Sequence, residues 1–251
     1  MSFTEWLFST YPNPKIEGAW GPLHIAVLLL CIGFIVLTSL LFRRKSERVR
    51  YGVLLGLAAV IVLLGIVRRI NGFILADELT LQKALRILLP RPGCAISCWL
   101  VSIALIVRRR FFYNFSAIVG ILCATIFFAY PSVGFTNELI LFENLYSIVT
   151  HAFFLIISVC FITYGFTEFD LDGIFREGIC LAVMLVYAFL EVYLLKIDPD
   201  PFYFLRDNEV QEILGISYGL YLPLYLVFIS VYIGAFYFIP RLSARRRSTK
   251  A

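Results

Sequence analysis

Cys94 opens an apolar stretch directly after Leu-Leu-Pro-Arg-Pro-Gly (residues 88–93), and His151 stands inside another such stretch, behind Thr150. A thiol and an imidazole are the pair that covalent acyl chemistry uses. The imidazole removes the thiol proton, and the thiolate attacks an ester carbonyl. Pro92-Gly93 sets Cys94 in the first turn of a helix, where the positive end of the helix dipole favours a thiolate. Cys98 follows one turn later on the same face and is either a decoy or a supporting residue. The chain has only two histidines. The other, His24, lies in Trp-Gly-Pro-Leu-His (20–24), where it would hold substrate, orient His151 or bond structurally at the interface.

Charged groups supply the rest of a candidate site. Arg68 and Arg69 are adjacent near the end of an apolar run, and neighbours on a helix point about 100° apart. At least one guanidinium therefore faces the bundle, where it would hold a phosphate, and snorkelling to the headgroups is the plain reading for one of them. Glu191 is an intramembrane carboxylate, expected to pair with an arginine. Arg206 closes Phe-Tyr-Phe-Leu-Arg (202–206) in a loop on the same side and adds positive charge beside Arg86 and Arg91. Each of these residues also has a plain reading. A cysteine in a membrane helix commonly serves as a small packing hydrophobe, and a lone histidine commonly bonds a neighbouring helix.

Elements that position such residues must themselves be stable in an apolar medium. Of 251 residues, 61% are hydrophobic and 16% charged, and the mean hydropathy is +0.87. Apolar runs recur along nearly the whole chain, each close to the roughly 20 residues that cross a bilayer as a helix. Short alternating segments of a β-barrel are absent. The expected fold is all-α: one integral membrane domain over residues 1–251, a polytopic bundle of about seven transmembrane spans. These fall near 22–42, 52–75, 93–108, 114–130, 145–166, 178–195 and 217–239. The third and fourth are short, which makes six the alternative count. Residues 1–19 carry Phe3, Trp6, Phe8 and Tyr11 among polar residues and prolines, an interfacial segment rather than a signal peptide.

Basic residues cluster at 43–50, at 108–110 and at 241–250. By the positive-inside rule these share the inner side, which puts the N-terminus out and the C-terminus in, with 241–251 a basic cytoplasmic tail. The net charge of +5 is thereby a topology signal and not a nucleic-acid patch. At about 1.5 Å per residue above the inner boundary, His24 lies about 28 Å up, Arg68 about 27 Å, His151 about 25 Å, and Cys94 and Glu191 about 21 Å. The awkward residues thus gather in the outer half. The six cysteines all lie in or beside apolar helices, without the clustering of a metal site or a secreted disulfide framework. Phosphate-loop, zinc-protease and serine-elbow motifs are absent, and no cofactor is expected.

Four motifs, Trp-Gly-Pro-Leu-His (20–24), Leu-Pro-Arg-Pro-Gly-Cys (89–94), Tyr-Ser-Ile-Val-Thr-His (146–151) and Phe-Tyr-Phe-Leu-Arg (202–206), resemble in order the YwaF-like family of bacterial integral membrane proteins. That family is similar to an animal membrane acyltransferase that moves polyunsaturated acyl chains onto ether lysophospholipids with a cysteine and a histidine on two helices. The resemblance implies that Cys94 carries the acyl group as a thioester and that His151 is the general base. It also implies a multi-pass protein of a bacterial cell membrane, with phospholipids or lysophospholipids as partners. The leading expectation is a lipid acyltransferase or hydrolase near the outer leaflet. The alternatives are a non-enzymatic binder or transporter of lipid or anionic solute, a structural or signalling membrane protein, and a haem protein with iron between His24 and His151.

Overall fold

The computed structural model describes residues 6–7, 20–90, 93–129, 141–196, 205, 211 and 214–248. Among the described residues the regular structure is entirely helical, in agreement with the expected all-α bundle. In chain order the helices are α1 (Pro22–Phe42), α2 (Glu47–Ile74), α3 (Leu81–Leu88), α4 (Cys94–Val107), α5 (Arg110–Ala129), α6 (Phe142–Thr163), α7 (Leu171–Phe189) and α8 (Tyr218–Ser248). A π-helical turn, Leu190–Leu194, continues α7. Six of these helices are long and apolar enough to cross a membrane. The helix expected as the third span, α4, has 14 residues, about 21 Å of length against some 30 Å of hydrocarbon.

The boundaries differ from expectation where charge meets helix. α2 begins at Glu47, so Arg48 and Arg50 are its first turn and not a loop. α5 begins at Arg110, which lengthens the expected 114–130 span into a full crossing. The backbone of the expected basic tail is helical through Ser248, continuing α8. One element was not anticipated. The eight-residue α3 is strongly amphipathic and starts at Thr80, whose hydroxyl accepts from Lys83 N at 3.2 Å.

Compact packing divides the chain into two units, Met1–Thr167 and Glu168–Ala251. In the first, α5 packs closely on α4 and α6, while α2 packs on α4 and α6. Lipid offers no hydrophobic drive between helices, so close approach and interhelical hydrogen bonds must hold them. α5 supplies the small residues: Ser116, Ala117, Gly120 and Ala124 are all buried. Ser116 Oγ donates to Leu100 O on α4 at 3.0 Å, and Ser158 Oγ of α6 donates to Ser116 O at 3.2 Å.

The basic end of this unit is latched by aromatic residues. Arg50 donates to Tyr164 O and lies over the Phe166 ring at 5.6 Å. Arg108 sits 3.9 Å from the Tyr51 ring centroid, and Tyr51 OH donates to Leu105 O at 2.8 Å. Tyr164 OH donates to Thr38 O at 2.9 Å. Burial pushes that phenol above the ordinary tyrosine range, so it remains a donor throughout the physiological range. At the other end, Trp6 packs edge-on against Phe142 at 5.8 Å, and Asn71 Nδ2 donates to Leu7 O at 2.7 Å. The basic end is thus tied across α1, α2, α4 and α6, and the other end ties Trp6 and Leu7 to α6 and α2.

In the second unit, α7 starts at Asp170, whose side chain accepts from Gly173 N at 2.7 Å. Phe169 packs against Phe236 and Tyr237 of α8, at 5.3 and 5.6 Å between ring centroids.

Candidate functional site

Gly93 determines where Cys94 stands. Its φ of 75° lies in the left-handed region that only glycine enters without strain. From that bend its carbonyl accepts both the backbone N–H of Ser97 at 3.0 Å and the Ser97 hydroxyl at 2.9 Å. Cys94 is consequently the first residue of α4, as the Pro-Gly spacing predicts. It is half-buried.

The Cys94 thiol meets Cys123 of α5. The two thiols are neighbours, and Ser97 stands beside Cys123. Cys98, one turn along, faces a different neighbour, the Thr150 hydroxyl of α6. Thr150 in turn donates to Tyr146 O at 2.7 Å.

His151 is buried between aromatic rings. It stacks on Phe127 with centroids 3.7 Å apart and planes 13° from parallel, and Phe154 lies 5.0 Å away. Its Nδ1 is 2.6 Å from the Ser147 carbonyl, which can only accept, so Nδ1 carries the proton. Nε2 therefore presents a lone pair, and it is buried without a hydrogen-bond partner. A buried polar atom left unsatisfied costs about 1–3 kcal/mol. This imidazole is held, unpaired, in the tautomer that a general base requires.

Cys123 and Phe127 are one turn apart on α5, about 6 Å along the axis. Cys94 contacts the first and His151 stacks on the second, so α5 carries both residues on successive turns. They are not bonded to each other: the neighbour of Cys94 is Cys123, and Nε2 of His151 has no partner.

Arg68 and Arg69 border a small cleft between α2, α4 and α6, with Ala95, Cys98, Trp99 and Tyr146 on the opposite walls. The Arg69 guanidinium lies 5.2 Å from the Trp99 ring and donates to Gly65 O at 3.0 Å. That of Arg68 lies 5.0 Å from the Tyr146 ring and is paired with the exposed Glu143 at 3.3 Å. Both arginines line the cleft. The thiol on its wall is that of Cys98, whereas the Cys94 thiol faces α5.

His24 is fully buried. Trp20 N–H donates to its Nδ1 at 3.1 Å, and its Nε2–H donates to Phe128 O at 3.0 Å. That carbonyl lies in the last turn of α5, where backbone acceptors have no intrahelical partner. His24 is thus a cap that ties α1 to the end of α5. Both ring nitrogens are engaged in these bonds. Replacing His24 with Phe is expected to lower stability by about 1–3 kcal/mol through the orphaned carbonyl, read as a lower thermal midpoint in detergent.

Glu191 lies in the second unit, in the π-helical turn, and is buried. Tyr187 OH donates to its Oε1 at 2.7 Å. Arg206 lies outside the described residues.

Cys123, Phe127, Thr150, Trp99 and Tyr146 were not singled out from the sequence. For Cys123 the signal existed: thirteen residues past Arg110 place it about 20 Å above the inner boundary, level with Cys94. The aromatic residues carried none, being scattered through a chain with 24 phenylalanines and 14 tyrosines.

No curated protein and no solved structure matches the chain. A family model does match, over residues 19–239, which takes in every motif from His24 to Arg206. With six apolar helices of spanning length and a family match over most of its length, the chain is a multi-pass membrane protein that belongs to the TMEM164 family.

Proposed function

We propose that this protein is a lipid-directed acyltransferase or hydrolase in which Cys94 is the nucleophile and His151 the general base. The observation that carries the reading is Nε2 of His151: a buried, unpaired lone pair in the base tautomer, one turn of α5 from the contact of Cys94. The reading requires a rotation of the Cys94 side chain that carries the thiol to His151. Nε2 then takes the thiol proton, and the thiolate attacks the carbonyl carbon of a phospholipid ester. The tetrahedral intermediate expels the lysolipid alkoxide, which takes the proton back from His151, and the acyl chain remains as a thioester. His151 next deprotonates a lysolipid hydroxyl or water, which attacks the thioester and frees Cys94. The resemblance to YwaF-like proteins, and through them to a cysteine/histidine acyltransferase, supports the same roles. With the N-terminus outside, the site would lie in the outer half of a cell membrane, close to where ester linkages run.

Arg68 and Arg69 would hold the lipid phosphate in the aromatic cleft. Arg69→Ala removes a charge-assisted contact worth about 1.5–3 kcal/mol. It is therefore expected to raise KM for a phospholipid donor about 10–100-fold with kcat little changed.

A second reading is favoured by one feature: the arginine cleft is lined by Cys98 and not by Cys94. A binder or transporter of anionic headgroups needs the cleft alone and would keep full function in Cys94→Ser. Intact-protein mass spectrometry of wild type and Cys94→Ala after incubation with mixed phospholipids, with and without hydroxylamine, separates the two. A hydroxylamine-labile fatty-acyl adduct on wild type alone is expected. Its absence from folded His151→Ala and wild-type protein alike would overturn the enzymatic reading.

A further inference from the structure

Two basic segments that lie far apart in the sequence meet at the basic end of the first unit. Arg43, Arg44, Lys45 and Arg48 occupy the link from α1 to α2 and the first turn of α2, and Arg108, Arg109 and Arg110 run from the end of α4 into α5. All seven are exposed. The joint between the segments is Tyr51. The Arg108 guanidinium lies 3.9 Å from its ring centroid, and its hydroxyl donates to Leu105 O at 2.8 Å. Arg48 stands three residues before Tyr51 in α2, on the same face of the helix. Glu47 is the one carboxylate in either segment.

Membrane topology asks only for positive charge on the correct side, in any conformation. Arg108 is placed more narrowly than that. Its φ of 54° lies in the left-handed region, which a residue with a side chain enters at a cost. Directly beyond that bend α5 begins, at Arg110. The first backbone N–H groups of α5 and the positive end of its dipole therefore fall beside the same cations. A guanidinium stacked on a ring keeps its N–H edges outward, where they fork a phosphate. The helices on either side carry lipid-facing residues next to this end, Leu55 on α2 and Ile106 on α4, so the phosphate that reaches it is one attached to acyl chains.

We infer that Arg48, Arg108 and Arg109, with the start of α5, form a binding site for the headgroup of an anionic phospholipid, in the leaflet at the basic end of the bundle. Arg108, fixed on Tyr51, binds the phosphate, Arg48 adds charge from α2, and the acyl chains lie along the outer surface of α2 and α4. The site is at the opposite end of α4 from Cys94 and rests on nothing in the acyl-transfer reading.

The test is native mass spectrometry of the full chain in detergent, with tetraoleoyl cardiolipin or dioleoyl phosphatidylcholine added at equal concentration. Wild type is expected to retain cardiolipin and not phosphatidylcholine. Arg108→Gly keeps the left-handed bend and removes the cation. Its thermal midpoint without cardiolipin should be no lower than that of wild type, while retention falls about 5-fold, the value of one cation at a membrane surface. Arg48→Gln, which touches neither the bend nor Tyr51, should lower retention by about as much, and it carries the test if Arg108→Gly does not fold. Lys83→Gln combined with Arg86→Gln removes two cations from α3, at the other end of the unit, and should leave retention unchanged. Full retention in the Arg108 and Arg48 variants, or an equal loss in the α3 variant, would overturn the inference. Displacement of cardiolipin by excess inorganic phosphate would overturn it too, by marking a site for free anions.

Discussion

Replacement of His151 by alanine is expected to slow acyl transfer by about 10²–10⁴-fold, the usual contribution of a positioned general base. KM should change little, because His151 is buried away from the arginine cleft. The effect follows from the tautomer: with Nδ1 donating to Ser147 O, only Nε2 can take a proton, and nothing else competes for it. His151→Gln retains a hydrogen-bonding group but no base, so it should be as inactive as alanine. A stacked ring that only packs against Phe127 would predict the opposite order, with stability lost and residual rate unaffected in the variants that fold. Cys94→Ser should abolish the hydroxylamine-labile adduct altogether, because a serine ester resists hydroxylamine under the conditions that cleave a thioester. Single-turnover rates with a fluorescent phospholipid, together with the adduct mass, read both effects.

The second large effect is structural. Gly120→Val is expected to cost about 3 kcal/mol, the upper part of the usual range for overpacking. A Cβ at position 120 would overlap Ser158 Oγ and come within 3.2 Å of Ser158 Cβ. Ser158 cannot turn aside without loss, because it is fully buried and its hydroxyl donates to Ser116 O. The contact of α5 with α6 at this point would therefore open, and with it the seat of Phe127 under His151. Gly33→Val is the control, since a Cβ there meets nothing within 4 Å. Thermal unfolding in detergent should show a lower midpoint for the first and almost none for the second. Ser158→Ala in a Gly120→Ala background should recover part of the loss, because the overlapping oxygen is gone.

The amino-acid sequence by itself determined the class of the protein and the approximate place of its spans. The length and apolarity of a run are local properties, and a bilayer enforces helix on any such run because backbone groups have no other partner there. α1 and α8 consequently lie where hydropathy puts them, and Cys94 heads α4 because Pro92-Gly93 is written beside it. α3 escaped because eight residues are too few for a periodic pattern to stand out. Tertiary structure alone decided which way each helix is turned. In water the apolar stripe reveals a helix's inner face, but in lipid both faces are apolar and the stripe disappears. Rotation is then settled by contacts such as Gly120 against Ser158 and Ser116 against Leu100. That rotation sets Cys94 beside Cys123 and puts Cys98 on the arginine cleft, spends both nitrogens of His24 on Trp20 and Phe128, and leaves Nε2 of His151 as the lone pair without a partner.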